Sequence, residues 1–287
     1  MKIIAITYGG DRYRDWQILN SSCAKNYGMV DEIRSYSQKD IDAIFYNTNI
    51  KILNKKRGSG YWLWKPYIIL KALNEISEGD FLIYTDSGGI QIVGDVHSFI
   101  EELNEKNCYI WIQQMSHVEK KYTKRDVFIL IDCDKKEYCD TGQYKANVIV
   151  IKKCQESIHF VKQWLFFCTD ERILTDIKNQ LNKENYEGFV ENRHDQSALS
   201  LLYKKAEVSE INNISAEIGD INSKYLVFVR LHHGDFILNE VKIIVRILNL
   251  CIRKQQSYEL TNNIYNSVCN LSNIRNKILK RLLIYRL

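Results

Sequence analysis

The chain of 287 residues contains a single proline, Pro66, and no run rich in glycine and serine. A flexible linker between domains is therefore not indicated, and there is no internal repeat. Apolar residues make up 45% and charged residues 26%, which is ordinary for a globular protein. The length suits one large domain, or one domain with a small appendage.

Several widespread motifs are also missing. There is no strand-following G-x-G-x-x-G, no G-x-x-x-x-G-K-[ST], no H-E-x-x-H and no G-x-S-x-G. These absences argue against dinucleotide-binding Rossmann proteins, P-loop NTPases, zincin proteases and α/β-hydrolases. The eight cysteines form no C-x-x-C pair and no zinc spacing, so they are most simply interpreted as reduced thiols.

Long apolar runs are scarce as well. The stretch "IIVRILNLCI" is interrupted by Arg246 and is too short to span a bilayer. The opening "MKIIAIT" enters a strand pattern without a signal-peptide core or cleavage site. Together with the reduced thiols, this predicts a cytoplasmic protein.

Positive charge is concentrated near the end of the chain. Residues 242–287 contain nine Lys or Arg side chains and one acid, Glu259, which gives this segment a net charge of +8. The net charge of the whole chain is +5, so residues 1–241 together carry −3. We expect a domain over 1–240 and a basic amphipathic helical tail over 241–287. Such a helix suits an anionic membrane surface or packs back on its own domain. Nucleic-acid binding is disfavoured by the acidic main body.

Strand and helix patterns alternate along the first 240 residues, which predicts an α/β fold with a mainly parallel sheet. A continuous apolar run predicts a strand buried on both faces at 81–85. Pro66 suits the first turn of a helix, and Asp95 suits a helix cap. The other predicted strands are 2–7, 30–36, 108–112, 146–153 and a late strand from Tyr225; the other helices include 12–27, 156–168 and 194–205.

Three polar turns follow predicted strands: Thr7–Asp11, Asp86–Gly89 and His232–Asp235. Ligands of open α/β sheets bind beyond the carboxyl ends of the strands. Asp86 has small residues after it, which suits a hard cation that bridges to phosphate oxygens. The alternative is a turn aspartate that accepts hydrogen bonds from backbone N–H groups.

The stretch "RGSGYWLWKP" (57–66) and the strand ending "YTDSGG" (84–89) resemble a family of bacterial GT-A-type glycosyltransferases. That family builds capsular polysaccharide, O-antigen or lipooligosaccharide. Its pattern is G-x-G-Y-W-x-W-K-P followed by a strand ending Y-x-D-x-G. Further similarity lies in "YTKRDVF" (122–128), "GQYKANVIVIKK" (142–153) and "NRHDQSALSLL" (192–202). The resemblance covers roughly residues 1–235, in order.

The resemblance implies transfer of a hexose from a nucleotide-diphosphate sugar, expected to be a UDP-sugar, to a surface glycan or glycolipid acceptor. It also implies the GT-A fold, a Rossmann-like mixed and mainly parallel sheet flanked by helices. The usual Asp-x-Asp metal motif is incomplete, because Gly88 replaces the second acid. A divalent cation (Mn²⁺ or Mg²⁺) would then need Asp86 with His232 or His233, unless protein cations replace the metal.

On this interpretation the donor site is built from strand-end turns and the opening motif. Arg57 and Lys65 would stabilise the departing diphosphate, while glycine would allow close backbone approach and tryptophan would stack on a base or sugar. The alternative makes the tryptophans core anchors and leaves the two cations solvated. The residues assigned to the donor are Thr7, Tyr8, Arg57, Gly60, Trp64, Lys65, Tyr84, Ser87, Gln143 and Asn147.

Catalysis is assigned to Asp86 and Asp195. Asp195 is a general base, a ligand of a sugar hydroxyl, or a first-turn acid favoured by the helix dipole. The acceptor is assigned to His194, Gln196, Arg125 and Asp126, although the last two also suit a helix start capped by Thr123. The competing hypothesis for the whole chain is a non-catalytic domain that docks on membrane or nucleic acid through the tail.

Overall fold

The computed structural model describes residues 1–206, 214–220, 223–232 and 235–284, with the backbone alone at Asp11 and at 277–284. The strands are β1 Ile3–Tyr8, β2 Glu32–Tyr36, β3 Phe81–Thr85, β4 Ile90–Ile92, β5 Ile110–Trp111, β6 Gln114–Val118, β7 Gly142–Tyr144, β8 Val148–Lys152 and β9 Phe228–Arg230. His233 lies outside the described residues.

Helices separate most of these strands. They are α1 Arg14–Asn26, α2 Ala43–Thr48, α3 Ile50–Leu53, α4 Gly58–Tyr61, α5 Trp64–Glu75, α6 His97–Glu105, α7 Glu119–Tyr122, α8 Arg125–Leu130, α9 Lys136–Cys139, α10 Gln155–Cys168, α11 Glu171–Leu174, α12 Asp195–Lys205, α13 Leu238–Arg253 and α14 Tyr258–Ile284. Short 3₁₀ turns lie at Asp11–Tyr13 and Gln38–Asp40.

The main sheet has five strands in the order β2-β1-β3-β8-β5. It is mixed and mainly parallel, is flanked by helices, and has β5 antiparallel to β8 with Ile110 opposite Ile151. Two-stranded antiparallel pairs join β4 to β9 and β6 to β7. The predicted α/β class is confirmed. The predicted strand at 81–85 is observed with those bounds, and every residue in it is buried.

Contacts divide the chain into two compact units. The first comprises Met1, Tyr36–Tyr84 and Leu103–Asn213. In this unit α10 packs against both α5 and α12, and its core includes the fully buried side chains of Trp164 and Tyr203. The indole N–H of Trp164 donates a 2.9 Å hydrogen bond to the backbone oxygen of Asp195, the first residue of α12.

The second unit comprises Lys2–Ser35, Thr85–Glu102 and Ile214–Leu287. Its core brings Leu19 and Cys23 of α1 against Val241, Val245 and Leu248 of α13. The beginning of the predicted tail is therefore a packed helix of this unit, and the domain boundary at residue 240 stays a prediction. Among the described residues, no helix is both long and apolar enough to cross a bilayer.

Candidate functional site

The motif at 57–66 folds into a left-handed turn in the first unit. Five consecutive residues have positive φ: Gly58 (56°), Ser59 (51°), Gly60 (97°), Tyr61 (52°) and Trp62 (61°). Each non-glycine residue in this region costs about 1–2 kcal/mol. Strain of this kind persists only where surrounding contacts hold it, and it clusters at functional sites.

Packing around the turn explains its glycines and one tryptophan. The indole N–H of Trp64, a buried residue, donates a 3.0 Å hydrogen bond to the backbone oxygen of Gly58. A Cβ at Gly58 would lie 2.4 Å from the Trp62 ring, and a Cβ at Gly60 would lie 2.7 Å from the Cα of Leu53. The turn is therefore closed by Trp64, and both glycines are places of close approach.

Lys65 joins this motif to the start of α12. Its ammonium lies 3.0 Å from Oδ2 of Asp195, and the two side chains are only 4% and 5% exposed. It also donates a 3.0 Å hydrogen bond to the backbone oxygen of Ala146 and lies 5.3 Å from the centroid of the buried Tyr84 ring. The charges of Lys65 and Asp195 thus compensate each other inside the first unit.

His194 lies against two aromatic residues of the turn. Its ring stacks on Trp62, with centroids 5.4 Å apart and planes 25° apart, and is tilted against Tyr61 at 5.0 Å. Nδ1 lies 2.7 Å from the backbone oxygen of Leu174, and the backbone has φ 54° and ψ −119°. Burial lowers the pKa of the imidazole below its usual 6.5, so the neutral ring predominates at pH 7.

Solvent-exposed charges surround this histidine. Asp176 Oδ1 is 3.8 Å from His194 Nε2, and the Arg57 guanidinium is 3.6 Å from Asp176 and 3.8 Å from Glu191. Arg193 is 3.5 Å from Glu191. The side chains of Arg57, Asp176 and Glu191 are each nearly half exposed. We call these four charged residues, with Tyr61 and His194, the His194 rim.

A buried polar network supports the segment that follows. Gln196 accepts a 3.1 Å hydrogen bond from the Ala146 N–H and donates at 2.7 Å to Gln143. Gln143 donates at 2.8 Å to Glu119, which also accepts from Lys204 at 2.7 Å. Gln143 is fully buried. The observed contacts of Gln143 and Gln196 are thus hydrogen bonds within the protein that hold the start of α12 against β7 and its neighbours. The nearby Asn147 has a buried Oδ1 with no hydrogen-bond partner among the described residues.

Arg125 and Asp126 hold the scaffold in the same unit. The Arg125 guanidinium lies 2.8 Å from Asp134 and 3.9 Å from the Tyr186 ring centroid. The Asp126 side chain is fully buried and accepts hydrogen bonds from the backbone N–H groups of Gln180 (2.6 Å) and Leu181 (3.3 Å). Their assignment to the acceptor stays a prediction, whereas their observed contacts order residues 175–194.

In the second unit, described residues of the three polar turns lie close together. The Ser87 hydroxyl donates a 2.8 Å hydrogen bond to the backbone oxygen of Tyr8. The Leu231 N–H donates at 2.9 Å to Gly89, where an added Cβ would lie 3.3 Å from the His232 ring. Asp86 is half-buried in this group. Thr7 is buried, and its hydroxyl has no partner among the described residues.

The fit to a divalent cation is incomplete. Within the described ranges, no three His, Cys, Asp or Glu side chains are grouped so as to hold a metal ion. Asp86 and His232 supply one oxygen ligand and one imidazole, whereas Mg²⁺ prefers six oxygen ligands. Asp86 belongs to the second unit and Arg57 and Lys65 to the first, so their predicted meeting stays a prediction.

Sequence patterns missed two acids of the His194 rim, Asp176 and Glu191. Both lie in residues 175–194, which connect α11 to α12 without helix or strand. A connection of that length inside a compact unit is uncommon and often functional. Its length was the available signal, but no periodicity marked which side chains face His194.

No protein-family model matches the chain, and no curated protein matches it. Solved structures that resemble it include galactosyltransferase LgtC in complex with donor and acceptor sugar analogs (14% identity, 70% of each chain, TM-score 0.40). Another is a glycosyltransferase involved in glycosylation of the major capsid of PBCV-1 (10% identity, 86% of this chain and 100% of that one, TM-score 0.40). A third is mouse xyloside xylosyltransferase 1 (6% identity, 82% and 99%, TM-score 0.44). TM-scores below 0.5 are too low to assign a function from these structures.

Proposed function

We propose that the protein is a GT-A-type glycosyltransferase that moves a hexose from a nucleotide-diphosphate sugar, a UDP-sugar, to a bacterial surface glycan or a lipid-linked oligosaccharide. One observation carries the proposal. Two segments of the sequence resemblance, 57–66 and 192–202, are brought together by the buried Lys65–Asp195 ion pair and by the packing of His194 on Tyr61 and Trp62.

The turns of the second unit support the donor half of this proposal. Asp86 follows a fully buried strand, and its turn is tied to that of β1 through Ser87 and Tyr8. Backbone turns at the carboxyl ends of strands are where α/β folds bind nucleotides. Thr7, Tyr8 and Ser87 then contact the nucleotide, and Asp86 contacts the phosphates or the donor sugar.

For the proton acceptor of the reaction, the buried Lys65–Asp195 ion pair favours His194 over Asp195. The Asp195 carboxylate is paired with the Lys65 ammonium across 3.0 Å, which favours a positioning role for Asp195. His194 Nδ1 lies 2.7 Å from the Leu174 carbonyl oxygen, which only accepts, so Nε2 of the neutral ring keeps a lone pair for a hydrogen from an incoming hydroxyl.

The helical tail supports peripheral contact with an anionic membrane. The exposed face of α13 carries Ile243, Ile247 and Leu250, together with the exposed cations Lys242 and Arg246. No acid occurs from 242 to 254. Apolar side chains between cations fit a surface of anionic lipid, where lipid-linked acceptors reside.

Calorimetric titration with UDP and UDP-hexoses, each with and without Mn²⁺, tests the donor class, and slow hydrolysis of a UDP-hexose tests transfer to water. Asp86→Asn should lower hydrolysis at least tenfold, whereas the control Asp95→Asn, at an exposed helix cap of the same unit, should not. The absence of binding to every nucleotide diphosphate would refute the proposal.

A further inference from the structure

We propose that the His194 rim binds two neighbouring hydroxyl groups of a neutral pyranose, one at His194 Nε2 and one at Asp176. The inference rests on the proposed function, since it names this pyranose as the acceptor sugar. All residues that carry it belong to the first unit.

The hydrogen-bonding state of His194 follows from its partners. A backbone carbonyl oxygen only accepts, so the 2.7 Å contact of Nδ1 with Leu174 places the hydrogen on Nδ1. In the neutral ring Nε2 then carries a lone pair. Nε2 is buried in a residue that is 3% exposed, and it has no hydrogen-bond partner among the described residues. A buried acceptor left unpaired costs about 1–3 kcal/mol, so a donor is required at this atom.

A second hydrogen-bond acceptor lies close to Nε2. Asp176 Oδ1, on a half-exposed side chain, lies 3.8 Å from Nε2. A lone pair and a carboxylate that face each other across this gap attract hydrogen-bond donors from solvent. Two vicinal hydroxyls satisfy both acceptors at once, and rotation of the exposed Asp176 side chain gives them access to Nε2.

The charges of the rim favour a neutral ligand over an ammonium group. Arg57 lies between Asp176 and Glu191, and Arg193 lies beside Glu191. Two carboxylates therefore face two guanidinium groups, and little negative charge is left to attract a cation. The guanidinium N–H groups are donors and the carboxylates are acceptors, and a hydroxyl group can accept from the former and donate to the latter.

The ring of His194 is held in a fixed orientation for this purpose. Trp62 is stacked on it and lies on its other side against Gly58, while Tyr61 tilts against its edge. His194, Tyr61 and Trp62 all have positive φ. Strained backbone on both sides of one contact is expected where a ligand-binding group must be preorganised.

The test uses the full-length protein without donor, at pH 7.5, and follows the ¹⁵N resonance of His194 Nε2 by NMR. The probes are methyl glucoside, methyl galactoside and methyl mannoside as pyranosides, with glucosamine as the ammonium probe. At least one neutral hexoside should bind and shift the Nε2 resonance. His194→Asn keeps an amide N–H for Leu174 and tolerates positive φ. Because this variant lacks the observed nitrogen, hexoside binding by the variants is compared by calorimetric titration, and His194→Asn should bind about tenfold more weakly, the value of one hydrogen bond.

His159→Asn, at an exposed histidine of the same unit, is the matched control and should leave binding unchanged. Asp176→Asn tests the second acceptor on an exposed side chain that folding does not require, and should also weaken binding. The inference is overturned if no neutral hexoside shifts Nε2, if glucosamine binds more tightly than every neutral hexoside, or if both variants bind as well as the parent.

Failure here is distinguishable from failure of the proposed function. UDP binding and UDP-hexose hydrolysis without hexoside binding would overturn the hydroxyl site and leave the glycosyltransferase standing. Hexoside binding that depends on His194, without any nucleotide binding, would keep the hydroxyl site, remove its role as an acceptor site and refute the transferase.

Discussion

At the scale of single residues, the buried Lys65–Asp195 ion pair dominates the first unit. Burial, and then the charge of Asp195, raise the pKa of the fully buried Cys168 thiol. Removal of one partner from such a pair leaves an uncompensated buried charge, which costs about 3–5 kcal/mol.

We therefore expect Lys65→Met to lower the free energy of unfolding by about 3–5 kcal/mol, as measured by urea denaturation. The double variant Lys65→Met with Asp195→Asn should recover part of this loss, because no unpaired charge remains. Lys120→Met removes a partner of the exposed Lys120–Asp140 pair and should cost less than about 1 kcal/mol. Equal losses in the two single variants would contradict a buried pair.

Lys124 gives the first unit a pH dependence. Its side chain is buried, and its ammonium donates hydrogen bonds to the backbone oxygens of Thr175 (2.8 Å) and Ile177 (3.2 Å). Burial lowers the pKa of this ammonium from 10.5 to about 8. Between those two pKa values the unfolded chain binds one proton more than the folded one, so this group raises the free energy of unfolding as pH increases.

The slope is about 1.4 kcal/mol per pH unit between pH 8 and 10. Other groups titrate in the same range, so the parent protein is compared with Lys124→Met. The free energy of unfolding of the parent should rise relative to that of the variant as pH goes from 8 to 10. A constant difference across this range would show that Lys124 keeps its ordinary pKa.

For the residues of the candidate site, sequence patterns indicated the positions more reliably than the role of each side chain. The resemblance marked Lys65, Asp195 and His194, and the structure places the first two in contact. It did not show that Lys65 is buried beside an acid, because nothing in a single sequence indicates that two charged residues 130 positions apart are in contact. The lowered pKa of His194 comes from burial, and its tautomer is set by the Leu174 carbonyl, which comes from a separate helix.

At the scale of elements, strands buried on both faces were the most predictable. The apolar runs of β1, β3 and β8 were found because a continuous hydrophobic segment has few other places in a fold. The β6–β7 pair was missed, since "QMSHV" is mostly exposed and lacks alternation. The left-handed turn was missed because Tyr61 and Trp62 do not prefer positive φ; packing on His194 and the Trp64 hydrogen bond hold them there.

The turn makes a prediction about Gly60. Gly60→Ala adds a Cβ 2.7 Å from the Leu53 backbone at φ 97°, so strain and crowding act together. Gly79→Ala adds a Cβ at φ 82° with no atom within 4 Å, and so introduces strain alone. In urea denaturation Gly79→Ala should cost about 1–2 kcal/mol, and Gly60→Ala should cost at least twice as much as Gly79→Ala. Equal losses would mean that the turn yields to the added methyl group.

At the scale of the whole molecule, the basic segment is not a uniform tail. Its first helix, α13, buries Val241, Val245 and Leu248 in the second unit. The spacing of apolar residues in "IIVRILNLCI" is that of a helix with one face packed on a domain. Towards the far end of the predicted tail, the side chains of Leu271 and Ile274 are exposed, and the side chains from 277 onward lie outside those described. Charge alone therefore located the basic region, whereas packing decides which of its faces meets solvent.

That exposed face leads to a test on lipid vesicles. Replacement of Ile243, Ile247 and Leu250 together by serine should abolish most binding to phosphatidylcholine vesicles that contain phosphatidylglycerol, measured by co-sedimentation. Each nearby Lys or Arg contributes about 1 kcal/mol at an anionic surface, so parental binding should fall as salt screens these charges. The control replaces the exposed apolar residues Ile44, Phe166 and Val190 of the first unit by serine and should bind like the parent. Equal binding to vesicles of phosphatidylcholine alone would contradict the preference for anionic lipid, and an unaffected α13 variant would remove α13 from the membrane contact.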